Sequence, residues 1–473
     1  MNHDHTQKQN SIIGNHGTQY SNLLEQAARY SSDYINTICQ KPAFPDEKAI
    51  QALDIFQEEL PANKTDASAV IKLLHERGAP ATTAEIGGRF FGFVNGGLLP
   101  VAHAAEWLAD TWNQNAALYV MSPIAAKLEE ICEQWMVQLL GLPTETAMGL
   151  VTGSSNALIC ALAAARNELL RRQGYDLSRQ GLRNAPPLRI VLGAEAHSSV
   201  RAALCVLGIG ADEIETVPTD DFGRMRPDHL PRLDSHTLLI LQAGNVNGGA
   251  FDPIDTLCDA ARAAGTWVHI DGAFGLWAAA SHKYRHLVNG LEKADSWSLD
   301  AHKTLNAGYD CGIVLCRRRD VLARALQASG TYIAYSDHRD GMLYTTEMSR
   351  RARSIVLWAV LKHLGSKGVE RLVDTLCAHA EYFSSLLQLA GFTLAAPVCF
   401  NQFMVKADTP KETENVLAAV QSEGICWCGG SRWKKEPVIR ISVCSHKTTM
   451  RDINESAAAL SAAWRYIKNE RNE

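Results

Sequence analysis

The chain has 473 residues, of which 46% are hydrophobic and 21% charged, with a formal net charge of −5. That composition suits a globular protein with a large α/β core and a smaller domain, or roughly two to three domains. A slightly acidic chain without a long basic tract is a poor match for nucleic acid or an anionic membrane; Arg317-Arg318-Arg319 stands beside Asp320 and reads as a solvated face.

From Met1 to Gln19 the chain is polar, with no basic stretch leading an apolar core. No secretory leader is expected there, and about the first 20 residues are expected to be poorly ordered. His3, His5 and His16 lie in these polar surroundings, and no metal site is expected from them. From 20 to about 75 the pattern is helical, with breaks at Pro42 and Pro45. Pro123 opens an amphipathic helix in which Ile124, Leu128, Ile131, Trp135 and Leu139 recur, and Gly141 stops it.

Beyond Pro143 short apolar runs alternate with helical stretches. The pattern predicts helices over 157–172, 197–207 and 254–264, and strands over 188–192, 238–241, 267–270 and 313–316. Such alternation implies an α/β fold whose mostly parallel sheet is covered on both faces, with ligands at the carboxyl ends of its strands. A helical stretch over 349–389 follows, then strand 400–405, helix 413–423, strand 438–443 and helix 453–464. The expected division is a helical N-terminal segment over 1–85, a large domain over 86–375 and a small α+β domain over 376–473.

No apolar run reaches the ~18 residues that a membrane span needs. The 12 cysteines lack framework spacing, and Cys426-Trp427-Cys428 lacks the further ligands of a zinc site. Reduced thiols in a cytoplasmic protein are the expectation.

Four segments carry chemistry. Val151-Thr152-Gly153-Ser154-Ser155-Asn156 leads straight into a helix and offers free N–H groups and hydroxyls to a phosphate, or simply caps that helix. Ala196-His197-Ser198-Ser199 puts a histidine just after a strand, as a structural or a functional residue. Val268-His269-Ile270-Asp271-Gly272-Ala273-Phe274 ends an apolar run on an acid, which either faces a bound ring or caps a turn. Ser298-Leu299-Asp300-Ala301-His302-Lys303 places a lysine near a strand end, before a turn-rich stretch; an exposed loop lysine is the plain alternative.

Together these give a phosphate cup, a planar aromatic, an acid and a lysine, in that order. Pyridoxal 5′-phosphate (PLP) chemistry needs this set. The Lys303 amine would form the imine with the cofactor aldehyde. Asp271 would pair with the protonated pyridine nitrogen and maintain the ring as an electron sink. His197 would stack on one ring face, and the small Ala273 would leave room at the other.

The chain resembles the group II PLP-dependent amino-acid decarboxylases, which include aromatic amino-acid and glutamate decarboxylases. The resemblance is carried by His269 to Gly275, Asp295-Ser296 through Asp300-Ala301-His302-Lys303, and Tyr309-Asp310-Cys311-Gly312. Further support comes from Arg89 to Phe93, Ser122-Pro123 with Leu128-Glu129, Gly244-Asn245 to Phe251-Asp252-Pro253, and Ser349-Arg350-Arg351. It implies a fold-type I architecture and a homodimer with its sites at the subunit interface. It implies Lys303 as the imine lysine, Asp271 as the pyridine partner and His197 as the stacking residue. Gly153, Ser154 and Ser155 match the phosphate loop, His302 sits beside the phosphate, and Asn245 stands near the ring's substituents. The implied reaction is loss of the α-carboxylate of an L-amino acid as CO2, giving a primary amine.

Three departures from the family pattern bear on mechanism. The phosphate loop reads Gly153-Ser154-Ser155-Asn156, Thr304 follows the lysine where tryptophan is frequent, and the segment 336–344 is short. Many members carry a mobile-loop tyrosine that protonates Cα; Tyr344 is the candidate here, or else a packing residue. Without such a donor the outcome would turn to oxidation to an aldehyde, unless His197 delivers the proton. Phe91 and Phe93, with Phe90, lie in the segment that lines the substrate pocket in relatives, or serve as core aromatics. Transamination on the same scaffold and a catalytically silent, PLP-binding regulatory protein are the competing readings.

Overall fold

The structure is a computed structural model that describes residues 16–327, 335 and 337–472. His3, His5 and Ser336 therefore lie outside the described residues. Among the described residues seven strands form the central sheet: β1 (Ala147–Val151), β2 (Arg189–Gly193), β3 (Ile214–Val217), β4 (Thr237–Gln242), β5 (Trp267–Asp271), β6 (Ser296–Asp300) and β7 (Gly312–Cys316). Their order is β1-β7-β6-β5-β4-β2-β3. Only β7 runs against its neighbours, so β1, β2, β4, β5 and β6 all end at one edge.

Burial explains the sequence texture. Strands β4 and β5 are buried along their whole length; 238–241 in β4 is an unbroken apolar run, and β5 is apolar but for His269 and Asp271. Helices Ser154–Arg172 and Ser198–Val206 start directly beyond the edge where β1 and β2 end. Helix Pro123–Leu140 begins and ends as the sequence predicts. Ser122 Oγ accepts from Ala125 N, Pro123 fills the first turn, and Gly141 takes the left-handed conformation at φ 69°.

The small sheet holds β8 (Thr393–Leu394), β9 (Gln402–Lys406), β10 (Gly429–Trp433) and β11 (Glu436–Ser442), all antiparallel in the order β10-β11-β9-β8. The long helix Arg353–Leu389 leads into it and is broken at Gly365, where φ is 58°. Strands β1, β3 and β6 were not legible as strands. The sequence Ser-Trp-Ser-Leu-Asp of β6 carries no apolar run, yet every residue of it is buried.

The expected domain boundary at residue 86 needs correction. Phe91 N donates to Trp427 O, Trp427 N to Arg89 O, and Ser442 N to Phe91 O, so this strip is sewn into the C-terminal domain. Phe91 is fully buried there, 5.1 Å from the Phe383 ring in an edge-on contact. It is a core residue of the small domain and does not line a substrate pocket. Phe93, two residues on, is 61% exposed and stacks on Trp427 at 5.2 Å. We therefore expect Phe91→Ala to cost about 3–5 kcal/mol of unfolding free energy and Phe93→Ala about 1 kcal/mol or less. Chemical denaturation of the two variants checks this; equal losses would contradict the assignment.

Candidate active site

Lys303 follows β6 by three residues, and its Nζ lies 2.8 Å from Asp300 Oδ2. Asp300 is 1% exposed, and its other oxygen, Oδ1, has no hydrogen-bond partner. Ala273 O accepts from Asp300 N, which joins the exit of β5 to the end of β6. His302 is buried beside them, its Nε2 3.6 Å from Asp300 Oδ2. Its Nδ1 accepts from Cys311 N at 3.2 Å, so the neutral ring carries its proton on Nε2. Burial holds the His302 pKa below the ordinary value.

The phosphate loop meets this group from β1. Gly312 lies between Val151 and Asp300 in the sheet, and a side chain there would come within 2.4 Å of Gly153 Cα. The close approach of the two chains thus requires a glycine. A Cβ on Gly153 would stand 3.4 Å from His302 Cε1 and 3.7 Å from Asp300 Oδ1. Asn156 N and Ala157 N turn back to Gly153 O, which leaves the N–H groups of Ser154 and Ser155 at the helix start for an anion.

Asp271 ends β5 and is 5% exposed. Burial raises its pKa, while His197, Lys303 and a hydrogen bond from Ser298 oppose that shift. His197 caps its helix by accepting from Ser199 N at 3.2 Å, and it borders the same small cavity as Asp271 and Gln242. Burial lowers the His197 pKa, with Asp271 opposing, so the ring is neutral at pH 7. A larger groove of about 490 Å³, lined by Trp135, Arg285 and Lys362, contains none of these residues.

Residues 51–401 match the family model of the pyridoxal-dependent decarboxylase conserved domain. The chain belongs to that family. Among its relatives, the acidic amino acid decarboxylase of Mus musculus is 30% identical over 321 residues, covering 65% of this chain and 58% of that protein. The chain thus spans less than two thirds of that relative's length. The phenylacetaldehyde synthase of Arabidopsis thaliana is 25% identical over 485 residues, covering 96% of this chain and 95% of that one. The fold matches the crystal structure of Oryza sativa TDC with PLP and tryptamine at a TM-score of 0.88 and 20% identity, over 97% of this chain and 100% of that one.

The family's cofactor is pyridoxal phosphate, and the residues present fit it. A helix start with open N–H groups, a buried acid, a half-buried lysine and the partnerless Asp300 oxygen meet at one sheet edge. Lys303, His302, Asp271, Ala273, His197 and Gly153 to Ser155 are all brought to this edge. Phe93 approaches along the strip 93–97, since a side chain on Gly96 would strike Lys303 O at 2.0 Å.

Two further expectations are corrected. Asn245 has its side chain committed to the turn after β4: Oδ1 accepts from Asn247 N and Gly248 N, and Nδ2 donates to Glu195 O. It shapes the loop and has no oxygen left for a ring. Tyr344 is 7% exposed and packs under the sheet. Arg319 Nη1 donates to its hydroxyl at 3.1 Å, and the Arg339 guanidinium covers its ring at 4.6 Å. Arg339 also binds Glu133, which accepts from Met148 N near the start of β1, at the far end from Gly153. Tyr344 is a packing residue in this subunit.

One residue outside the four sequence segments also belongs here. Arg440 on β11 is 9% exposed, donates to Val246 O at 3.2 Å, and leaves Nε without a partner. Its charge contributes to the lowering of the His197 pKa. The available signal was an arginine inside the apolar run Val438-Ile439-Arg440-Ile441, opposite Gly429. For Tyr344→Phe we expect a loss of about 0.5–1.5 kcal/mol in stability and unchanged PLP affinity. Denaturation and cofactor titration check both; weakened cofactor binding would return Tyr344 to the site.

Proposed function

We propose that the protein removes the α-carboxylate of an L-amino acid as CO2 and releases the primary amine. The observation that supports this best is the convergence of Lys303, Asp271, His197 and the Gly153–Ser155 helix start on one sheet edge, within a chain of the pyridoxal-dependent decarboxylase family. When bound, pyridoxal phosphate supplies an electron sink for the pair left at Cα. Lys303 would hold the cofactor through its amine. Asp271 would offer it a negative charge, and the neutral His197 ring would shield it from water. Ser154 and Ser155 would hold its phosphate through backbone N–H groups. Arg440 offers its free Nε to a substrate carboxylate.

A proton must then reach Cα. Tyr344 is committed elsewhere, and His197, the other donor that the sequence offers, borders the same cavity as Asp271.

We also infer a homodimer in the cytoplasm. Trp107, Leu108, Trp112, Val120, Met121 and Ile124 are exposed large apolar side chains on neighbouring segments, and an apolar face of that kind marks an association surface. The 12 cysteines carry no disulfide among the described residues, which fits a reducing compartment. No helix among the described residues is long and apolar enough to cross a membrane.

The test offers single L-amino acids to the PLP-loaded protein and quantifies CO2 and organic product. Equal amounts of CO2 and amine from one substrate class are expected. A keto acid without CO2 would overturn the reading in favour of transamination. With the substrate so found, Arg440→Met raises KM at least about tenfold. An unchanged KM removes Arg440 from its assignment.

A further inference from the structure

Strands β5 and β6 pair in register, with His269 opposite Ser296 and Asp271 opposite Ser298. Side chains alternate along a strand, so Trp267, His269 and Asp271 share one face with Ser296 and Ser298. These residues form a continuous hydrogen-bonded series. Trp267 Nε1 donates to Ser296 Oγ at 3.1 Å, and Ser296 Oγ lies 2.9 Å from His269 Nδ1. His269 Nε2 lies 3.4 Å from Ser298 Oγ, and Ser298 Oγ donates to Asp271 Oδ1 at 3.3 Å. His269, Ser296 and Ser298 are fully buried, Trp267 is 1% exposed, and only Asp271 reaches the cavity.

The direction of the series is fixed at both ends. An indole N–H can only donate, and an ionised carboxylate can only accept. Ser298 gives its only proton to Asp271, so it accepts from His269 Nε2–H. The neutral ring's Nδ1 then accepts from Ser296, whose oxygen accepts from Trp267. Full burial pulls the His269 pKa down to about 3, so the ring stays neutral and the order cannot reverse by protonation near pH 7. Consecutive bonds of one direction polarise each other in a low-dielectric interior.

We propose that Trp267, Ser296, His269 and Ser298 form a one-way donor chain that holds the Asp271 carboxylate as a fixed, ionised acceptor at the sheet edge. His269 and Ser298 are positioning residues, acting on the ring partner through Asp271. The inference rests on the cofactor-partner role of Asp271 given above. The other charged groups near Asp271 are His197 at the helix start after β2, Lys303 beyond β6, and Asp300 at the end of β6. Lys303 and a protonated His197 favour the carboxylate, and Asp300 opposes it. Ser298 adds the hydrogen bond that favours it. Loss of that bond moves the Asp271 titration to higher pH, so Asp271 becomes protonated earlier as pH falls.

Two measurements test the chain. In cofactor-free protein carrying ¹⁵N-histidine, His269 is expected as the neutral Nε2–H tautomer throughout pH 5–8. An Nδ1–H tautomer, or a ring that titrates in that range, overturns the chain. PLP affinity is then titrated against pH for wild type, Ser298→Ala, His269→Leu and His269→Gln. Ser298→Ala and His269→Leu are expected to bind roughly tenfold more weakly at pH 7, with the acidic midpoint of cofactor loss about one unit higher. His269→Gln, whose amide can still donate toward Ser298, should recover most of the wild-type profile. Thermal unfolding of the cofactor-free variants separates these effects from misfolding, and Ser298→Ala removes only one oxygen atom if the His269 variants do not fold. Wild-type profiles in Ser298→Ala and in folded His269→Leu would overturn the inference. A wild-type protein that binds no PLP would instead overturn the cofactor reading, while the tautomer would still decide the chain.

Discussion

Lys303 Nζ stands 2.8 Å from Asp300 Oδ2, and that carboxylate is 1% exposed. A buried carboxylate costs several kcal/mol unless a cation or hydrogen bonds compensate it, so the positions of residues 300 and 303 constrain each other. The surrounding backbone closes on this pair from three directions. Ala273 O takes the Asp300 N–H from the β5 side. Gly153 presses against Gly312 from the β1 side, and Gly96 presses on Lys303 O from the N-terminal strip. A phosphate loop, an acid-bearing strand end and an aromatic strip thereby meet around one amine.

The rest of the chain supports that meeting point. Gln402 Nε2 donates to Asn245 O and Val246 O, and Arg440 donates to Val246 O, so the small domain is fastened to the turn after β4. On the other flank Glu129 and Glu133 of helix Pro123–Leu140 accept from Arg339, Arg350 and Arg319. Arg350 also donates to Ala116 O and to Leu150 O of β1. Removing a single partner from such a buried network leaves an unpaired charge, which is why the segment 339–350 is clamped in place. The clamp also explains Tyr344. Its hydroxyl and ring are occupied by the arginines that carry the network.

Much of the fold was legible because it is written locally. The buried strand β4 holds an unbroken apolar run over 238–241, and helix Pro123–Leu140 has its start and stop signals in place. Asp271 ends its strand and Gly153, His197 and Lys303 follow strand ends by a few residues, so their shared edge follows from strand direction. What was not legible depends on pairing between distant segments. Strand β6 has no local apolar signal because its serines find their partners on β5. Phe91 looked like a pocket residue, but its strip belongs to a sheet more than 300 residues away along the chain. Asn245 matched a ring-contacting position in the motif, and only the structure reveals that its oxygen closes its own turn. Arg440 is a lone arginine in an apolar run, which gives no local sign of what it faces.

The central claim is that Lys303 is the residue that holds the cofactor. It is tested most directly by loading the protein with PLP, reducing it with borohydride and locating the resulting covalent label by peptide mass mapping. The account predicts one label per chain, on Lys303, and none in Lys303→Ala. A label on any other lysine, or a wild-type protein that takes up PLP without a reducible bond, would contradict it.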